Sequence, residues 1–112
     1  MKTEILTIQP RENANILDVG MAIATEKRQF TFAVKFDNIA NHKLQIITYD
    51  SEFGETFKFN QHIVAEVMNL VRQIVKGDRL DFPIYVGDFG TAEEAIALQK
   101  PFNSKQPLLN KR

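Results

Sequence analysis

Cysteine and tryptophan are absent from this 112-residue chain, and proline and glycine are sparse, at four and five residues. Without cysteine there is no disulfide, no thiolate metal ligand and no cysteine nucleophile, and the composition fits a reducing cytoplasm. Net charge is absent as well. Fourteen Lys and Arg balance fourteen Asp and Glu, so no global field draws the chain to nucleic acid or to a membrane surface. No apolar run approaches the roughly 20 residues of a membrane span. The opening Met1-Lys2-Thr3-Glu4-Ile5 is not the uninterrupted apolar stretch of a signal peptide. His42 and His62 lack metal-ligand spacing, and neither Ser51 nor Ser104 lies in a nucleophile-elbow sequence. No glycine-rich phosphate loop is present. These absences lead us to expect a soluble, cytoplasmic, non-enzymatic protein that uses no metal and no cofactor.

What is present reads as one globular domain. The apolar fraction is 44% and the charged fraction 25%, values that suit a packed core under a polar surface. The clearest helical signal runs from Gln61 to Lys76. There Ile63, Val64, Val67, Met68, Leu70, Val71, Ile74 and Val75 recur at three- and four-residue spacing, with Glu66, Asn69, Arg72, Gln73 and Lys76 opposite. Asn60 is placed to cap this helix, Phe59 and Val64 to staple its start, and Gly77 to close its end.

Strand patterns precede it. Thr3–Gln9 is a short strand ended by Pro10. Leu17, Val19, Met21 and Ile23 alternate with Asp18, Gly20, Ala22 and Ala24, with Gly20 a candidate bulge. After a polar turn at Thr25–Arg28, Phe30, Phe32, Val34 and Phe36 alternate with Thr31, Ala33, Lys35 and Asp37. Asn38–His42 reads as a turn, Lys43–Tyr49 as a strand and Glu55–Phe59 as another, with Gly54 taking positive φ between them. Phe82–Val86 follows the helix as a strand that Pro83 confines to an edge. Thr91, with Glu94 three residues on, opens a second helix that Pro101 stops. The expected fold is α+β: a mostly antiparallel β-meander of about five strands with one long helix packed across a face, then a short β-α unit, in two layers. Residues 1–102 form the domain and 103–112 a basic C-terminal tail.

Four stretches are candidates for function. Arg28, Phe30 and Phe32, in a basic residue followed by strand aromatics, resemble the aromatic strand of the RNA-recognition motif. That resemblance implies stacking of the two rings on bases and contact of Arg28 with phosphate. Gln29 stands where that family has glycine, and Phe36 is one place late. The alternation itself places the same rings in the core, facing the helix. Tyr85-Val86-Gly87-Asp88-Phe89-Gly90-Thr91-Ala92-Glu93-Glu94-Ala95 resembles a strand-to-helix junction of the plant AP2 DNA-binding domain and of bacterial SPOR domains. No binding residue is carried over from either. Asp50, Glu52 and Glu55 cluster around Gly54 as oxygen ligands of a hard cation would, without the spacing of an EF-hand loop, and read as a solvated turn. The last 13 residues hold Lys100, Lys105, Lys111 and Arg112 and no carboxylate, leaving ten basic against fourteen acidic side chains elsewhere. With Leu108 and Leu109, the residues Lys105, Lys111 and Arg112 make that tail a candidate partner-binding segment. The expected function is a small soluble interaction protein, with a protein partner or self-association as a homodimer; the alternative is a single-stranded nucleic-acid-binding domain using the aromatic strand. A compact, cysteine-free, motif-poor chain also resembles accessory proteins of bacteria or their prophages.

Overall fold

The computed structural model describes residues 1–13 and 15–91. The second helix expected after Thr91 and the tail from Lys105 to Arg112 lie outside the described residues. Within them run β1 (Lys2–Pro10), β2 (Ile16–Ile23), β3 (Glu26–Ile39), β4 (His42–Tyr49), α1 (Ser51–Thr56), α2 (Gln61–Val75) and β5 (Ile84–Asp88). All pairings are antiparallel, in the order β4-β3-β2-β1-β5. Four strands meander and β5 joins the free side of β1. The class is α+β.

Alternation decides which side chains are buried. Leu17, Val19, Met21 and Ile23 of β2, with Phe30, Phe32 and Val34 of β3 and Ile5 and Ile8 of β1, enter one apolar cluster. Ile63, Val64, Val67, Leu70 and Val71 of α2 join the same cluster, as their helical spacing requires. Met68, Ile74 and Val75 are only partly buried at its margin. Gly77, at φ +98°, ends the helix. Its N–H donates to the Ile74 carbonyl at 3.0 Å and the Asp78 N–H to that of Gln73 at 3.0 Å, the paired bonds of a Schellman motif. Gly20 serves a close approach. The β1–β2 register shifts between Ile5 and Thr7, and a Cβ on Gly20 would lie 2.8 Å from the Thr7 hydroxyl. The irregularity therefore sits in β1, opposite the glycine.

The segment after β4 departs from expectation. Glu55–Phe59 is not a strand; Ser51–Thr56 is helical. The Asp50 carboxylate starts that helix by accepting from the Phe53 N–H at 2.8 Å, and it also accepts from the Thr31 N–H at 2.7 Å. Phe57 and Phe59 alternate as strand residues would, but Phe53 and Phe57 are four apart. A helical turn buries both of these, whereas a strand would have grouped Phe57 with the exposed Phe59. Gly54 lies within α1 and does not need positive φ. A Cβ there would lie 3.3 Å from the Tyr49 ring.

Asn60 also acts differently from a local cap. Its side chain makes no capping bond to α2; it donates to the Gly90 carbonyl and accepts from the Gly90 N–H, each at 2.8 Å. The amide thus pairs with the chain beyond β5 as a strand neighbour would, which satisfies two backbone groups the sheet leaves unmatched. Phe59, expected to staple the helix start, is exposed with Lys58 over its ring.

A candidate interaction surface on the β3–β4 hairpin

The aromatic strand lies inside the protein. Phe30 and Phe32 are 1% and 0% exposed, and both rings pack edge-on against Phe53, at centroid distances of 5.3 and 4.9 Å. A base stacks only on a ring with an open face, and neither ring has one. Arg28 is held by Glu26 (3.4 Å), by the Thr56 hydroxyl (3.4 Å) and over the Phe30 ring. Of the acidic turn, Asp50 is committed to two backbone N–H groups, while Glu55 pairs with Lys58 at 3.5 Å. Among the described residues no group of three or more acidic or histidine side chains is placed to hold a metal ion. His62 donates to the Asp88 carbonyl at 3.0 Å and covers Gly87, whose φ of +134° and crowding (2.9 Å from an added Cβ to the ring) admit only glycine. His42 lies at the hairpin tip, away from His62.

That hairpin is the unusual element. β3 pairs with β2 only as far as Ala33, opposite Ile16, yet its pairing with β4 continues to Ile39, opposite His42. Six further residues of each strand, Val34–Ile39 and His42–Ile47, therefore run on as a two-stranded ribbon, roughly 20 Å long at the rise of an antiparallel strand. Two residues close it, Ala40 at φ +51° and Asn41 at φ +67°, the backbone signature of a type I′ turn whose twist matches the strands it joins. Phe36, expected in the core with Phe30 and Phe32, lies past the end of β2 instead. It is 47% exposed, with the Lys43 ammonium 4.7 Å from its ring. With Leu17, Val34, Ile74 and Val75 it lines an open groove of about 270 Å³ at the base of the ribbon.

The other face of the ribbon is apolar where water meets it. Ile39, Leu44 and Ile46 are 54%, 44% and 38% exposed, flanked by Lys35 and Asp37. A two-stranded ribbon is marginal in water on its own, and exposed apolar side chains grouped in this way mark sites of association.

The backbone of β4 adds a second feature. The Asp50 N–H donates to the Thr31 carbonyl at 3.0 Å, which sets the phase of the ladder. Hydrogen-bonded pairs alternate, so residues 42, 44, 46 and 48 bond to β3. Lys43, Gln45, Ile47 and Tyr49 turn their N–H and C=O groups outward, and no strand among the described residues pairs with that side. The opposite edge is better guarded. β5 has five residues, follows Pro83, bends at Gly87 and ends in Asp88. The Asp88 carboxylate accepts a hydrogen bond from Tyr85, which holds the phenol above its ordinary pKa. Short, interrupted and charged edges resist strand addition; β4 has none of these protections except Lys43, and Lys43 turns to Phe36.

On the sheet face that carries Ile39 and Leu44, Arg11 grips Asp18 through Nε and Nη2 (2.8–3.1 Å) and reaches the Thr31 hydroxyl. That hydrogen bond, more than the Coulomb attraction, holds the Asp18 carboxyl below its ordinary pKa. The pair ties the β1–β2 loop to the sheet and leaves the ribbon untouched.

No protein-family model matches the chain, and no curated protein matches it. No helix of the described residues is long and apolar enough to cross a membrane. Ile39, Leu44 and Ile46 escape a reading of the sequence because Asn38–His42 looks like a polar turn, and the pattern does not show where β2 stops. The signal that was available is Leu44-Gln45-Ile46-Ile47, which is apolar on both faces of a strand.

Proposed function

We propose that this is a small non-enzymatic interaction protein whose working surface is the projecting β3–β4 ribbon and the open edge of β4. One observation carries the reading: past Val34, whose N–H donates to the Asn15 carbonyl, the ribbon has no neighbouring strand among the described residues, and it exposes Phe36, Ile39, Leu44 and Ile46. In this reading the body has two layers, with α2 over one sheet face as the long helix and the ribbon extending past it. The reaction classes that need a nucleophile elbow, a phosphate loop or a metal-ligand spacing have no residues for it in the sequence. The nucleic-acid alternative draws no support from Phe30 and Phe32, whose rings are covered. The absence of cysteine suits a cytoplasmic setting, and an accessory role in a bacterium or prophage remains our reading of the chain's size and economy. The partner that the surface suits is a protein, since it offers apolar side chains and unpaired strand backbone together.

A photo-crosslinking residue at position 39 or 46, introduced in cells that make the protein, tests this. We expect covalent adducts from both ribbon positions and none from Glu66, on the exposed side of α2. Equal labelling at Glu66, or none at the ribbon, would remove the ribbon as the working surface.

A further inference from the structure

We infer that the open edge of β4 is completed by the β4 of a second copy, paired antiparallel about a two-fold axis at Gln45 to give one continuous ten-stranded sheet. The inference rests on the ribbon's being the working surface and goes further by naming the occupant and the register.

The chain's own pattern selects both. A two-fold axis perpendicular to the sheet keeps each face on its own side, so directly opposed residues must have numbers of the same parity. Groups that bond across the new seam must come from Lys43, Gln45, Ile47 and Tyr49, which turn their backbone outward. Centring on Gln45 meets both conditions. Gln45 then bonds to its own counterpart and Lys43 to the second copy's Ile47. Leu44 falls opposite the second copy's Ile46, and Ile46 opposite its Leu44, at the non-hydrogen-bonded positions where side chains come closest. Four half-exposed aliphatic side chains cover one another on the face that lacks them a partner now.

Charge agrees with this register. Read across the seam, one row runs Lys35, Ile46, the second copy's Leu44 and then its Asp37; the symmetric row runs in reverse. Each row has an apolar centre and ends of opposite sign. Lys43 is the only formal charge in β4, and the two copies of it lie roughly 13 Å apart along the strands, past a Debye length of about 8 Å. No like charges are opposed anywhere along the seam. A foreign strand would have to supply this complement; a second copy already holds it.

Sedimentation velocity on the full chain reads the outcome. We expect a species of twice the 12.8 kDa protomer mass. Gln45→Pro should return it to the protomer mass with an unchanged far-ultraviolet spectrum, because the Gln45 N–H faces the open edge and is not used by β3. Gln45→Cys reports the same contact without proline's demands on the backbone. The chain has no other cysteine, and opposed residues about 5.5 Å apart at Cα are within disulfide reach. Mild oxidation should therefore link two Gln45→Cys chains, while Tyr85→Cys on the opposite edge stays unlinked. A wild-type chain that sediments at the protomer mass at every concentration would overturn the inference. So would a Gln45→Pro dimer, or linkage through Tyr85→Cys alone. Ribbon crosslinks to a different protein from a chain that stays monomeric would sink this inference and leave the interaction function standing.

Discussion

Phe53 is the side chain on which most of the aromatic packing converges. Its ring lies 4.9–5.3 Å from those of Phe30, Phe32, Tyr49 and Phe57, mostly edge-on or tilted, arrangements that aromatic quadrupoles favour. It is also the residue through which the six-residue α1 is fastened to β3. Phe53→Ala should cost about 3–5 kcal/mol, the range for emptying a buried phenylalanine site. That would remove much of a domain stability typically of ~5–15 kcal/mol. Urea denaturation checks it, with Phe59→Ala as the control: that exposed ring should change stability by less than about 0.5 kcal/mol. Equal losses at the two positions would mean that α1 is not anchored in the way the ring geometry implies.

At the scale of elements, α2 and the ribbon depend on the core in opposite ways. The stripe of α2 from Ile63 to Val71 is buried against sheet residues, and a helix of this length is marginal without such a surface. Val71→Asp places a carboxylate where nothing can solvate or pair it, so the domain should unfold or melt many degrees lower. Circular dichroism on heating reads this directly, and a melting point close to the parent's would show that the stripe is not core. The ribbon contributes side chains that are exposed on both faces, so polar substitutions there should leave the fold in place. That difference makes the ribbon separable from the body by mutation.

For the whole molecule, the two sheet edges have been treated differently, and the difference has a thermodynamic consequence. If β4 is completed by a second copy, unfolding is coupled to dissociation and the melting temperature must rise with protein concentration. We expect a clear upward shift over a hundred-fold concentration range for the wild type and none for Gln45→Pro. Identical melting curves for the wild type at all concentrations would argue against the coupling.

Local chemistry in the chain was sufficient for α2 and its glycine end, for the strand character of β1–β4, for the edge position of β5 and for the buried sides of β2 and β3. In each case a period of 3.6 or 2 and one or two turn residues act over short range. Where that short-range signal divided, as between Phe53–Phe57 at helical spacing and Phe57–Phe59 at strand spacing, only packing against Phe30 and Phe32 could select the helix. Asn60 likewise has the chemistry of a cap, and its use against Gly90 depends on a segment 30 residues away. The ribbon is the clearest case. Phe36 is exposed because β2 ends before it beside β3, and Ile39, Leu44 and Ile46 because they lie on the sheet face away from α2; a strand's own residues state neither the length of its neighbour nor which face the helix covers. Exposure is a property of registered pairs, so the surface proposed to carry function took shape only once the strands were aligned.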